Sequence, residues 1–158
     1  MSKTLSSFDQ EPEAEVLFSY FNEISIISQL SGAMFEKGLP FGLTNAQFSV
    51  LNWFIKVDSE ATPGRLATAF QVTAGAMTNT LKKLAAKQLI KVEPDPNSGR
   101  KKRVTITEKG RNQLEQAVLC TMPVFGELLQ LLDSAKIEKQ LPLLQEIRKT
   151  LDEMRYKK

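Results

Sequence analysis

The sequence of 158 residues contains no histidine and a single cysteine, Cys120. Without histidine, the chain cannot form a His-Cys metal site, a Ser-His-Asp or Cys-His catalytic arrangement, or a histidine-based pH switch. One cysteine excludes an intrachain disulfide and is typical of a reducing compartment. Phosphate-binding glycine loops and paired-carboxylate sites are also missing. The sequence therefore predicts no metal, no cofactor and no enzymatic activity.

Long apolar runs are absent as well. No segment approaches the ~20 apolar residues that a membrane-spanning helix needs, and the N-terminal Met-Ser-Lys-Thr-Leu lacks the apolar core of a signal peptide. Hydrophobic residues make up 42% of the chain and charged residues 25%, as in globular domains. We therefore expect a cytoplasmic protein with no membrane partner, folded as one domain or as a compact two-part subunit.

Positive charge, by contrast, is concentrated in one part of the chain. Eight cations and two carboxylates give the stretch from Lys82 to Arg103 a net charge of +6, whereas the whole chain carries only +3. Four of these cations form the unbroken run from Arg100 to Arg103. Such a concentration is typical of a surface that follows the phosphates of a nucleic acid.

A helix is predicted at the start of this basic stretch. Met77, Leu81 and Leu84 recur at helical spacing and predict a buried face, and Thr73 can cap the N-terminus. The opposite face carries small, amide and cationic side chains, which suit a helix that enters a DNA major groove. An ordinary solvated face is the alternative interpretation. The candidate DNA-contacting residues of this helix are Thr73, Gly75, Ala76, Thr78, Asn79, Lys82 and Lys83.

The segments on either side extend this pattern. Before it, Thr62 and Pro63 begin a short helix that ends near Phe70. After it, residues 89–94 and 101–107 alternate apolar and polar side chains around a Pro-Asn-Ser-Gly turn, which predicts a β-hairpin. Two helices, a turn and a basic hairpin make a winged helix-turn-helix. We expect the wing to place Arg100, Lys101 and Lys102 against the flanking minor groove or its phosphates.

Long amphipathic helices are predicted at both ends of the chain. Their apolar stripes should pack on each other and on a second copy, and a monomer with purely internal packing is the alternative. A homodimer would read two half-sites roughly 10 base pairs apart. The predicted fold class is mainly α with a small β-hairpin wing, a winged helix-turn-helix flanked by long dimerisation helices. Its predicted parts are a mobile arm (1–12), a helical dimerisation region (13–36 and 108–158) and a DNA-binding region (37–107).

Individual helices carry further expectations. Thr44 and Gln47 can form a capping box for a supporting helix that buries Phe48, Leu51, Phe54 and Ile55. Pro123 should kink the long helix that follows the wing or remove one of its backbone hydrogen bonds, and Cys120 in that helix is expected to act as a small hydrophobe. The inward face of the last helix is predicted to include Ile137, Leu141, Leu144, Ile147, Leu151 and Met154.

The order of these elements and several short motifs resemble the MarR family of bacterial transcriptional regulators. The motifs are Gly-Ala-Met-Thr (75–78), Leu-Ala-Ala-Lys-Gln-Leu-Ile (84–90), and the wing followed by Thr-Glu-Lys-Gly (107–110). The wing and Thr-Glu-Lys-Gly are the most specific part. The family often has an acidic residue two positions before the wing-tip arginine, where this chain has Ser98.

The resemblance implies a dimeric repressor that binds a pseudo-palindromic operator in double-stranded DNA and is released by a small, often aromatic effector. Six aromatic residues could line such an effector pocket with Arg65 or another buried cation as its anchor, although aromatic residues at helical spacing are more often core. Two other functions stay open: an effector-independent or architectural DNA-binding protein, and a winged-helix protein-interaction module. The six aromatic residues are Phe21, Phe35, Phe41, Trp53, Phe54 and Phe125.

Overall fold

The computed structural model describes residues 12–154, and the predicted mobile arm lies outside this range except for Pro12, which begins the first helix. The elements are α1 (Pro12–Gly38), α2 (Asn45–Lys56), β1 (Glu60–Ala61), α3 (Pro63–Phe70), α4 (Ala74–Ala86), β2 (Ile90–Asp95), β3 (Ser98–Ile106), α5 (Glu108–Leu131) and α6 (Ser134–Met154). The chain divides into two compact units, one ending at Cys120 and the other beginning at Thr121. The fold is mainly helical with a β-wing, as predicted.

Three threonines begin the helices around the helix-turn-helix. The hydroxyl oxygens of Thr44, Thr62 and Thr73 accept hydrogen bonds from backbone N–H groups three residues later, at 3.3, 3.1 and 3.1 Å respectively. Each threonine thereby satisfies one of the backbone donors that a helix start leaves open. The caps predicted at Thr44, Thr62 and Thr73 are therefore confirmed, whereas the Gln47 side chain predicted to complete a capping box accepts from Lys87.

The wing is wider than the predicted hairpin. β2 and β3 pair antiparallel from Ile90↔Ile106 onwards, and β1 pairs with the other side of β3 through Glu60↔Thr105 and Ala61↔Val104. The strand order is β1-β3-β2. β1 was not predicted because two residues give no periodicity, and its partner lies more than forty positions away.

A core fills the space between α2, α3, α4 and the sheet. Met77, Leu81 and Leu84 are buried as predicted. In α2 the buried side chains are Gln47, Val50, Leu51 and Phe54. The prediction for Ile55 was wrong, since it is 41% exposed. The remaining buried apolar residues are Leu43, Ala61, Leu66, Ala67, Leu89, Ile90, Val104, Ile106, Leu114 and Ala117.

The Thr-Glu-Lys-Gly motif (107–110) joins the wing to α5. The hydroxyl of Thr107 donates to the carbonyl of Gln88 at 2.8 Å and accepts from the backbone N–H of Gly110 at 3.0 Å. A Cβ on Gly110 would clash with the Leu89 carbonyl oxygen and lie 2.9 Å from Cγ1 of Ile106. This close approach requires glycine, so the motif fixes α5 against the end of α4 and the start of β2.

The terminal helices bury little within one chain. Neither α1 nor α6 has a buried residue, whereas α5 buries Leu114, Ala117 and Thr121. The inward face predicted for α6 is exposed in the single chain at Ile137, Leu141, Leu144, Leu151 and Met154, and its packing on a second copy stays a prediction. α5 and α6 continue through Pro123 and Pro142. Within residues 12–154, no single helix is long and apolar enough to cross a membrane, although α5 and α6 taken together meet that test of length and composition.

Candidate nucleic-acid interface

The exposed face of α4 carries the seven helix residues predicted to contact DNA, from Thr73 to Lys83. All of them are exposed, while Met77, Leu81 and Leu84 hold the other face in the core. Gly75 lies in the first turn, and a Cβ added there would meet nothing within 4 Å. The glycine is therefore not required by packing inside the protein, and it leaves the backbone at the start of α4 open to an approaching molecule.

A groove of about 340 Å³ separates α4 from the wing. Thr78 and Lys82 from α4 line it together with Lys102 from β3, so the structure brings three of the predicted site residues together. Glu93 from β2 is the carboxylate among the lining residues, which also include Pro63, Leu81, Ala85 and Val92. Two lysines and a threonine thus line a concave surface between the helix and the hairpin.

The wing tip has an irregular strand register. Pairing passes from Pro94↔Lys102 to Asp95↔Ser98, so Gly99, Arg100 and Lys101 have no opposite residue on β2. The turn is held by the carboxylate of Asp95, which accepts the backbone N–H of Asn97 at 2.9 Å. Ser98 stands where the family often has an acid, and Asp95 supplies a carboxylate to the turn instead. Arg100 and Lys101 are exposed at the tip.

Two cations of the basic stretch, Lys87 and Arg103, are half-buried and bound to other parts of the chain. Arg103 lies 3.4 Å from Glu60 on β1 and 4.0 Å from Glu93 on β2, so it bridges the outer strands of the sheet. Lys87 donates to two carbonyls in the segment between α1 and α2 and to the side chain of Gln47 in α2. The sequence count of eight cations therefore overstates the charge that faces solvent; the exposed cations are Lys82, Lys83, Lys91, Arg100, Lys101 and Lys102.

Arg65 does not act as a buried anchor, which corrects the expectation from sequence. Its side chain is 55% exposed and pairs with Asp58, and its guanidinium lies 5.2 Å from the centre of the Trp53 ring. The hydrogen bond from Arg65 lowers the pKa of Asp58, assisted by the backbone N–H of Glu60. Of the six aromatic residues considered for a pocket, Phe54 belongs to the core, whereas Phe21, Phe41 and Phe125 are exposed.

Cys120 is exposed and not packed as a small hydrophobe, which is a second correction. Within the described part of the chain, no group of three or more Cys, Asp or Glu side chains could hold a metal ion.

Comparison with known proteins agrees with this geometry. A sequence model of a protein family, described as the MarR family, matches residues 41–101. A mutant MarR from E. coli in complex with operator DNA is 25% identical, with a TM-score of 0.72 over 87% of this chain and 99% of that one. The transcriptional regulator BldR from Sulfolobus solfataricus is 27% identical, with a TM-score of 0.74 over 91% and 99% of the two chains.

A third solved structure shares the fold at lower identity. BpsR from Bordetella bronchiseptica, whose DNA binding is regulated by 6-hydroxynicotinic acid, is 24% identical, with a TM-score of 0.70 over 82% of this chain and 98% of that one. A search of curated protein sequences finds no significant match.

A capped helix with a small, cationic face and a basic β-wing define the winged helix-turn-helix class of transcriptional regulators. The family-model match over residues 41–101 and the structural matches over most of the chain both support the resemblance to the MarR family that the sequence predicted. The similar proteins are transcriptional regulators and not enzymes.

Proposed function

We propose that this chain is a homodimeric, sequence-specific DNA-binding regulator in which α4 is the recognition helix. The observation that carries the proposal is the groove where Lys82 of α4 and Lys102 of the wing face the same space, beside the exposed amide of Asn79. Asn79 can pair with an adenine edge, and the lysines can contact guanine edges or phosphates. Thr73, Gly75, Ala76 and Thr78 leave room for close approach.

The wing has a separate role in this proposal. Arg100 and Lys101 extend from the irregular tip, where no ladder partner constrains them. An arginine placed in a narrow minor groove senses the shape of the duplex more than its bases. Lys102 lies nearer to α4 and would neutralise a phosphate, which adds affinity for every sequence alike.

A second copy of the chain is the proposed partner of the terminal helices. On α1 alone, seven large apolar side chains are exposed: Val16, Leu17, Phe18, Phe21, Ile26, Ile27 and Leu30. Monomeric proteins rarely expose contiguous apolar surface of this kind. We therefore assign residues 13–36 and 108–158 to dimerisation and residues 37–107 to DNA binding. Two recognition helices related by a two-fold axis would contact half-sites about 10 base pairs apart.

The proposed regulatory role is repression in the cytoplasm, relieved by a small molecule. The regulation of Bordetella BpsR by 6-hydroxynicotinic acid suggests small aromatic acids as the first compounds to test. An effector of this type must bind more tightly to a dimer whose recognition helices are wrongly spaced for the operator.

The test uses duplexes selected by the purified protein from a random-sequence pool. A specific regulator should bind the selected duplex ~10³-fold or more tightly than random duplex. An architectural protein would show little preference. A protein-interaction module would lack the linear fall of log affinity with log salt that counterion release produces.

One substitution tests which surface meets the duplex. Gly75→Ala adds a methyl group to the open first turn of α4 and should leave the free energy of unfolding unchanged or raise it by ~0.5–1 kcal/mol. It should nevertheless weaken DNA binding if the backbone approaches the duplex there. Gly64→Ala in α3, where an added Cβ also meets nothing within 4 Å, is the matched control. Equal DNA binding by the two variants would exclude close approach at Gly75.

A further inference from the structure

Lys87 lies one residue beyond the recognition helix, and its ammonium group is held by three acceptors from distant positions. It donates to the backbone carbonyls of Phe41 at 3.1 Å and Gly42 at 2.6 Å, and to Oε1 of Gln47 at 3.2 Å. These acceptors belong to the segment between α1 and α2 and to the first turn of α2. One side chain therefore connects the end of α4 to the connection that follows α1.

The conformation of that connection supports a specific role for the ammonium group. Phe41 and Gly42 both have left-handed backbone angles, with φ of 61° and 60°. Left-handed backbone is unfavourable for a residue that carries a side chain, so Phe41 is held there by its surroundings. A charged donor shared by two successive carbonyls stabilises this conformation more strongly than a neutral donor would.

The connection is also tied to α1. The side-chain amide of Asn45 donates to the carbonyl of Gly32 at 2.6 Å, and the Asn45 backbone N–H donates to Glu36 at 2.8 Å. Lys87 is also bonded to α5, because Nζ of Lys109 donates to the backbone carbonyl of Lys87 at 3.0 Å. Lys87 thus joins the end of α4 to the connection, to α2 and to α5, and Asn45 at the start of α2 continues these bonds to α1.

We propose that Lys87 is a positioning residue that fixes the recognition helix relative to α1 and α5. The inference rests on the proposed DNA-binding dimer, in which α1 and α5 contribute to the interface between the two copies. Lys87 then sets the distance between the two recognition helices and so selects the spacing of half-sites. It contacts no base itself, and the preference of each half for its own bases is independent of it.

The experiment compares the full-length wild-type chain with Lys87→Met, which keeps most of the aliphatic stem and removes the donor. The probes are the duplex selected by the wild type, derivatives with the spacer changed by one or two base pairs, and a single half-site. Lys87→Met should bind the selected duplex about tenfold more weakly, within the range of coupling between linked sites. It should bind the single half-site as the wild type does, and its spacing preference should be lost.

Three further variants separate positioning from folding. Lys87→Arg should restore the spacing preference in part, because it keeps a charged donor. Gln47→Leu removes one acceptor and should show a smaller change in the same direction, even if Lys87→Met proves too unstable to purify. Lys56→Met removes an exposed cation from α2 and should leave the spacing profile unchanged.

Equal losses on the half-site and on the full site would overturn the proposal, because the defect would then lie within one recognition unit. An unchanged spacing profile in Lys87→Met and Gln47→Leu would overturn it as well. Failure of the wild type itself to select any sequence would instead contradict the proposed function.

Discussion

The winged helix-turn-helix buries its own core, whereas the terminal helices leave their apolar faces exposed. Among residues 12–154, every buried apolar side chain lies between Leu43 and Ala117. α1 and α6 show helical spacing of apolar residues, yet neither contains a buried residue. Helical spacing of apolar residues therefore predicts an apolar face on the helix, but it does not identify the surface against which that face packs. The first region buries its core within the chain, and we propose that the second packs on a second copy.

The largest expected effect is a loss of the proposed dimerisation. Leu141→Asp places a carboxylate in the exposed apolar face of α6, where Leu141 is 45% exposed in the single chain. Full burial of an exposed leucine is worth about 1.5–3 kcal/mol, and the half-exposed Leu141 gains about half of this on dimerisation. The two lost leucines together with the cost of burying two carboxylates should weaken dimerisation by roughly 3–6 kcal/mol. Sedimentation equilibrium measures the dissociation constant. Gln140→Glu adds a carboxylate at the next position, outside the apolar stripe, and is the control. A Leu141→Asp protein that remains as dimeric as the control would remove α6 from the interface.

The second prediction concerns the self-contained region. Gly110→Ala should lower the free energy of unfolding by about 2–3 kcal/mol, because the new methyl group clashes with the backbone carbonyl of Leu89. Chemical denaturation of the two variants and the wild type measures the change. Gly64→Ala introduces the same methyl group into open space and should be neutral or slightly stabilising. Equal stability of the two variants would show that the junction after the wing adapts easily.

The third prediction compares the two halves of the proposed DNA surface. Asn79→Ala should relax the preference at one base position and cost ~1–3 kcal/mol of DNA-binding free energy. Lys102→Ala should weaken binding to all DNA sequences alike and reduce the slope of log affinity against log salt concentration by about one. Fluorescence anisotropy with operator variants at several salt concentrations separates the two effects. An unchanged ranking of operator variants in Asn79→Ala would show that Asn79 does not select a base.

Local rules predicted the elements of the self-contained region well. The caps of Thr44, Thr62 and Thr73 depend on residues three positions away, and the buried face of α4 depends on spacing within one helix. The exposed face of α4 followed from the same helical spacing, and the basic wing followed from alternating residues around a turn. These features are encoded over short segments, so a single sequence contains the required information.

Contacts between distant segments were not predictable in the same way. The pairing of β1 with β3, the bridge from Arg103 to Glu60 and the bonds of Lys87 to Phe41 and Gly42 each join positions more than forty residues apart. A charge count treats all lysines and arginines alike, and therefore it assigned Lys87 and Arg103 to the surface charge. The sequence motif Thr-Glu-Lys-Gly included Gly110 but did not explain why glycine is needed there. The structure explains it, because the carbonyl of Leu89 leaves no room for a Cβ.

The smallest expected effect concerns the exposed ion pair of Asp58 with Arg65. Because the hydrogen bond from Arg65 holds the pKa of Asp58 below its usual value of 3.8, the folded state binds the proton less readily than the unfolded state. The stabilisation from the pair should therefore be fully present above that usual value and disappear as the pH falls through the lowered pKa. Circular dichroism of thermal unfolding across this acidic range, in the wild type and in Asp58→Asn, measures the difference. In an Arg65→Met background, the stability difference caused by Asp58→Asn should vary much less with pH, because the charged partner of Asp58 is gone. The stability difference should be small and should decrease with added salt, since the pair is open to solvent. Persistence of the full pH dependence in the Arg65→Met background would assign the lowered pKa of Asp58 to the backbone donors beside it.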